Sequence, residues 1–584
     1  MLYFIAVWLV LLPVCYLIGV GCLNGLQADR FRQASDRQIA ALWLGVVMLS
    51  VVLLATSIVL PLSLGVGAAI AASLVGVALL SKLTRIEVKS AWRSLTRWQW
   101  GTVLAVAVMV AATALEPVTW LDSGLYHFSL IRWLNRYGIV PGLALLFSNL
   151  GFNSSWFALA APLNPEAIAE QVSAVTNGFA VLLLSLSGLL GLRQCVRGQP
   201  RLSDRFLVLL CGSLLLLSIG SGPLSDIRVS PSPDLPALYL TGITVWSLLV
   251  SAQPEPIADA VDTAADTAVD ATDTAASSLA GRSAVVPLIL ATGAVTVKLT
   301  TLPLLLVVGV FFAVTQRPLR LHSLLMGAII VSGLLAPLLL AGILTSGCPL
   351  YPSSVLCLDL PWSLSIADAQ EVAKDTHAWT SWYGPAPAGV HPWLWPIWRW
   401  LNERTANKLM VVAALISLTA TGYIVWVRLK SRSAALHGAL WGMAVGWAGT
   451  GFIALLSPFL RFAVTYLLLP ILLALAIYTG RAPKWQQWQR LASRRLVPLA
   501  TCFLAMLLTL RHTWNAPSRW LLPDPMPQPD VVLEQVNDVV YWSPREENTV
   551  CWTADLPCAF EVKPNVQMRL PAQGLQGGFM RRPD

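Results

Sequence analysis

Trp100-Gly-Thr-Val-Leu-Ala-Val-Ala-Val-Met-Val-Ala-Ala-Thr-Ala-Leu115 carries no charge, and it runs directly into Glu116-Pro-Val-Thr-Trp-Leu-Asp-Ser-Gly-Leu-Tyr-His127. The first stretch suits hydrocarbon. The second places an acidic residue and a histidine where lipid meets water. A carboxylate is costly beside hydrocarbon, so its presence at a span end calls for a reason. Outward from this junction, apolar runs approaching the ~20 residues that cross a bilayer recur along most of the chain. Of 584 residues, 56% are hydrophobic and 12% charged, with a mean hydropathy of +0.67. A soluble domain of this length needs more charge to cover its surface. The reading is an all-α polytopic integral membrane protein. Its first apolar run, residues 2–22, lacks a basic flank and reads as a retained helix.

The net charge of +9 could point to nucleic acid, but its distribution excludes that partner. Lys and Arg gather in turns at 30–37, 82–97, 193–205, 317–320, 428–432 and 481–495, all on one side when spans are counted. Cytoplasmic loops carry such an excess. About 14 spans are expected, at 2–22, 39–59, 62–81, 100–115, 169–192, 206–221, 234–251, 284–298, 299–315, 321–345, 406–427, 436–456, 459–480 and 496–512. The organisation is then 1–115, N-terminal transmembrane helices; 116–168, an outer loop of catalytic type; 169–251, further helices. A low-complexity Ala/Asp/Thr linker at 252–283 follows, then helices at 284–345 and a second large outer loop at 346–405. C-terminal helices at 406–512 and an outer tail at 513–584 complete it, with the N-terminus also outside.

The aqueous chemistry belongs to the outer loops. From Ser123 the spacing predicts an amphipathic helix with Phe128, Leu130, Ile131 and Leu134 on one side and Ser129, Arg132 and Arg136 on another. Such a helix lies along the membrane surface. Gly138 is placed to end it and Pro141-Gly142 to turn the chain. On spacing alone Asp122 reads as the N-cap of this helix, and His127 as a structural histidine. Trp393, Trp395, Trp398 and Trp400, like Trp92, Trp98 and Trp100, sit beside spans as an interfacial belt does. Cys348 and Cys357 share an outer loop, and Cys551 and Cys558 the tail, where disulfides persist. Neither pair has the close spacing of a zinc site.

A span delivering Asp122 into the first large outer loop, followed by a surface helix, resembles the GT-C superfamily of polyprenyl-phosphate-dependent glycosyltransferases. More narrowly, Asp-Ser-Gly-Leu-Tyr-His127 with Tyr-Gly-Ile-Val-Pro-Gly-Leu143 and Gly-Phe-Asn-Ser-Ser-Trp-Phe157 looks like a family of bacterial polytopic membrane proteins with this outer loop. Lys298-Leu-Thr-Thr-Leu-Pro303, Ser346-Gly-Cys-Pro-Leu-Tyr-Pro352 and the Cys551–Cys558 segment fit the same family. The resemblance implies an inverting glycosyltransferase of the bacterial inner (plasma) membrane. It would move a sugar from a polyprenyl-phosphate carrier to a glycan, lipid or protein acceptor on the outer face. Asp122 and His127 would be catalytic, Asp122 as general base, made a better base by desolvation. Glu116, Tyr126, Arg132, Asp234, Lys298 and Arg461 would bind substrate, the two isolated cations Lys298 and Arg461 meeting the phosphate. Snorkelling is the bland alternative for both cations, and an N-cap that for Asp234. No Asp-x-Asp pair lies in an outer loop, which favours a metal-free reaction without a cofactor. Two other classes stay open: a polymerase or ligase of lipid-linked glycans using Arg399 or His391, and a transporter or flippase.

Overall fold

A computed structural model describes the chain except residues 32, 198–199, 221, 254–281, 317–320, 432–435, 482–505, 508–510, 512–516, 547–548 and 583–584. The expected linker, the turn at 481–495 and the span at 496–512 therefore lie largely or wholly outside the described residues. The helices are α1 (Leu2–Leu26), α2 (Ala34–Ser57), α3 (Leu64–Leu80), α4 (Lys82–Ser94), α5 (Arg97–Thr113), α6 (Phe128–Arg136) and α7 (Ser155–Ala160). There follow α8 (Val175–Arg197), α9 (Leu202–Ile219), α10 (Pro223–Arg228), α11 (Asp234–Ser251), α12 (Val285–Val297), α13 (Leu302–Thr315) and α14 (Leu321–Ser346). The last are α15 (Ile366–His377), α16 (Leu394–Glu403), α17 (Thr405–Ser431), α18 (His437–Leu456) and α19 (Leu460–Arg481).

Nine described helices are long and apolar enough to cross a membrane: α1, α2, α8, α9, α11, α14, α17, α18 and α19. The bent pair α3–α4 makes up to ten. α12 and α13 are apolar but shorter, and α5 has 17 residues. The protein is thus a multi-pass helical membrane protein, with fewer full-length described spans than the fourteen expected. α11 is buried along its whole length and forms the centre of the bundle. Most of α17 and α14 faces outward, and these bare apolar surfaces require hydrocarbon around them.

The two ends of the bundle differ in chemistry. At one end the basic turns interlock: Arg37 donates to Glu87 and to Asn24 Oδ1 at 2.6 Å, and Arg201 binds Asp36 and Asp204. At the other end lie the loops 116–168 and 346–405 and the tail. Disulfides join Cys348 to Cys357 and Cys551 to Cys558.

Two expectations need correction here. The fold is not all-α, because the tail forms two antiparallel pairs: β1 (Val531–Val536) with β2 (Val539–Pro544), and β3 (Val566–Met568) with β4 (Phe579–Arg581). β-branched runs flank Asn537-Asp538, with Asn537 at φ 55°, a conformation suited to a two-residue hairpin turn. Nor does α6 lie free on a membrane surface. Phe128, Leu130, Ile131, Trp133 and Leu134 are all buried, and the tail covers the side carrying Arg132. Gly138, at φ 75°, ends the helical stretch where a Cβ would stand 2.5 Å from the Ser57 carbonyl oxygen.

Candidate functional site

The junction quoted at the outset is helical from Leu121, but Ser123–His127 forms a π turn before α6. Such wider turns inside helices recur at functional sites. Asp122 has helical dihedrals (φ −57°, ψ −23°), and its side chain makes no capping bond. An N-cap residue is normally extended and turns its oxygen onto the first amides. Asp122 instead points away from the helix and accepts a hydrogen bond from Arg461 Nη1 at 3.1 Å. The N-cap reading therefore fails for this residue.

Arg461 is the second residue of α19, just after the irregular segment Ser457-Pro-Phe459. Its Nε lies 3.7 Å from Asp234 Oδ2. Asp234 is the first residue of α11, and its side chain is only 2% exposed. Its other oxygen takes the ammonium of Lys298, so this carboxylate too pairs with cations and caps nothing. Lys298 occupies an extended residue (φ −157°, ψ 131°) where α12 ends, 4.4 Å over the Phe462 ring. Asp122, Arg461, Asp234 and Lys298 thus form a chain of alternating charge at one end of an apolar bundle. The three outer members keep a fifth to a quarter of their side chains exposed.

Aromatic rings wall this quartet. The Arg461 guanidinium lies 4.9 Å from the Trp120 ring, 4.8 Å from Phe462 and 5.3 Å from Phe459. These faces attract a cation electrostatically. Trp120 Nε1 and Arg461 Nε are buried donors without a hydrogen-bond partner among the described residues. Beneath the quartet, Tyr126 packs on His127 and on Phe152. Burial first, then the carboxylates of Asp122 and Asp234, push the Tyr126 phenol well above its usual range. His127 is 1% exposed, and burial pushes its imidazole down to about 3, against the pull of Asp234. It is neutral at physiological pH. Its Nδ1 lies 3.5 Å from Ser230 Oγ, which accepts from Ser123 Oγ at 2.7 Å.

The remaining candidates stand elsewhere. Glu116 pairs with Arg228, whose side chain is 2% exposed and also donates to the carbonyls of Ser218 and Thr113. Arg132 donates to the Thr553 and Ala554 carbonyls and to Asp555, fastening the tail to α6. Trp552 N donates to the Gly124 carbonyl at 2.9 Å, so the Cys551–Cys558 loop sits on the π turn itself. His391 and Arg399 are exposed, Arg399 lying over Trp395. The Trp-rich segment nonetheless reaches the site's edge: Trp382 stacks on Phe459, and Trp400 Nε1 donates to the Pro458 carbonyl. No group of three or more His, Cys, Asp or Glu converges among the described residues. The sequence reading missed Ser230, the ring wall and Arg228. Only Arg228 left a signal, as a lone cation in the short outer segment 222–233.

Fold and site together define a multi-pass helical membrane protein with a largely buried, alternating charge cluster where its large loops meet the bundle. Residues 1–468 match the model of a family described as Domain of unknown function (DUF8201), and the chain belongs to that family. No curated protein matches it in sequence. Among solved structures, the chain is similar to the oligosaccharyltransferase of Archaeoglobus fulgidus in its apo form, at a TM-score of 0.32 and 12% identity. That similarity covers 75% of this chain, which spans 57% of the other.

Proposed function

We propose that this protein is an inverting glycosyltransferase that moves a sugar from a polyprenyl-phosphate carrier to an acceptor at the loop-covered end of the bundle. The observation that carries the reading is the orientation of Asp122, turned from its helix into the Arg461–Asp234–Lys298 cluster. Ionisable groups inside a membrane protein are expensive, and apolar packing there would be cheaper. The quartet offers what glycosyl transfer from a lipid phosphate needs. The acceptor oxygen attacks the anomeric carbon as the carbon–oxygen bond to phosphate breaks, and Asp122 takes the hydroxyl proton. The departing polyprenyl phosphate carries negative charge toward Lys298 and Arg461. The unfilled donors of Arg461 and Trp120 favour an oxygen-rich ligand. Asp234 holds both cations in place. His127, neutral and buried, acts as a positioning residue through Ser230. The reaction is proposed as metal-free, in a bacterial plasma membrane, with the quartet, the N-terminus and the tail on the outer face.

The test is sugar transfer from polyprenyl-phosphate-linked donors by purified full-length protein, comparing wild type with Asp122→Asn at matched thermal stability. General-base loss removes about 10²–10⁴ of rate. A folded Asp122→Asn protein that transfers sugar at the wild-type rate would overturn the proposal.

A further inference from the structure

α3 leaves one face bare, Leu64, Val77 and Leu80 included, so hydrocarbon must cover that face. At Ser81 the chain bends by 103° into α4, which leaves the bundle end opposite the charge quartet. α4 has one face docked: Thr84 Oγ1 accepts from Asn24 at 3.0 Å, and Glu87, the only acid in the helix, is held by Arg37. Its outward face carries Arg85, Lys89 and Arg93, one helical turn apart. Stacked like charges at this spacing repel one another. Among the described residues none of the three has an ion pair, since Glu87 is already engaged. With Leu79, Val88 and Trp92 they line an open cleft of about 320 Å³ in the elbow. Trp92 is 61% exposed and meets Trp100 edge-on at 5.1 Å.

We propose that this elbow binds the headgroup phosphate of an anionic phospholipid, its acyl chains running down the bare face of α3. The charge is complementary, and the apolar wall continues from the cleft into a surface that already requires lipid. A polyanion without chains would satisfy the cations and leave Leu79, Val88 and Trp92 unmatched. The inference stands independently of the transferase reading, since no quartet residue takes part.

The experiment is native mass spectrometry of the full chain in detergent with dioleoylphosphatidylglycerol or dioleoylphosphatidylcholine. Wild type is compared with an Arg85→Gln, Lys89→Gln, Arg93→Gln variant. Each basic residue near an anionic surface contributes roughly fivefold in affinity, so the triple variant should retain phosphatidylglycerol roughly a hundredfold less. Phosphatidylcholine adducts should not change. Equal phosphatidylglycerol retention by the two proteins would overturn the proposal. So would wild-type protein holding both lipids alike, or complete displacement by millimolar inorganic phosphate, which would mark a simple anion patch. If the triple variant melts early, the exposed single reversal Lys89→Glu gives the same reading, with a loss expected in phosphatidylglycerol binding alone.

Discussion

Replacing Asp234 with asparagine removes one charge and almost no volume, yet it should be among the most damaging single changes in the bundle. The wild-type carboxylate is 2% exposed and faces Lys298 and Arg461 together. Taking one partner out of a buried ion pair costs about 3–5 kcal/mol, because the other charge stays behind uncompensated. Two features reduce that figure here. Lys298 and Arg461 each keep 21% of the side chain exposed and can gain water, and Arg461 retains Asp122. About 2–3 kcal/mol is the expectation after this discount for screening. Lys298→Met should cost less, because Asp234 keeps Arg461. The double variant should be no less stable than Asp234→Asn alone, since the lysine charge that the first change orphaned is gone. Unfolding in mixed detergent–SDS micelles reads all four corners of this cycle. Strict additivity would refute the claim that these residues form one electrostatic unit.

Three further outcomes follow from the same geometry. A Cβ on Gly124 would stand 2.5 Å from the Trp552 ring and 2.6 Å from Val550, so Gly124→Ala should weaken tail docking by about 1–3 kcal/mol. Faster hydrogen exchange over residues 549–555 would register it, and unchanged exchange would count against the contact. Replacing Cys551 and Cys558 by alanine opens a short loop worth about 2–3 kcal/mol, visible as earlier proteolysis within the tail, with the spans intact. His127, held down to about 3 by burial, stays neutral in the folded protein while the unfolded chain takes up a proton below its ordinary value near 6.5. Stability should therefore fall as pH drops from about 6.5 toward 3, by of order 1 kcal/mol per pH unit. His127→Gln should flatten that slope, and an identical pH profile in the variant would refute it.

What sequence could and could not foretell divides along the range of the forces involved. Long apolar helices announce themselves, because the demand that backbone groups be satisfied within one segment is local. Hence α1, α2 and α14 fall close to their expected bounds. The apolar runs 284–298 and 299–315 likewise meet α12 and α13, although both helices are shorter than a full span; neighbouring helices bury all of α12, while α13 leaves Leu306 and Val310 exposed. The ion pair that Asp122 makes was not legible from its surroundings. Capping preference is a property of the next three residues, whereas its partner lies 339 residues away. α6 reads as a surface helix for a similar reason: the amphipathic spacing is real, but the cover over it comes from the tail. Val531 to Tyr541, with Asn537-Asp538 between β-branched runs, did carry a hairpin signal, overshadowed by the composition of the rest of the chain.

The grip of Arg132 on Thr553 spans 421 positions of sequence, and this sets an order on biogenesis. The loop bearing Asp122 is synthesised early, but its roof is made only after α19 has entered the membrane. At about 5–20 residues per second, that is a delay of some tens of seconds or more. During the interval the π turn and the hydrophobic face of α6 stand uncovered. Completion of the site then waits on arrival of the C-terminal segment and on formation of the Cys551–Cys558 bond. The cover beside the charge cluster is the last part of the site to mature, although the loop it covers is among the first parts made.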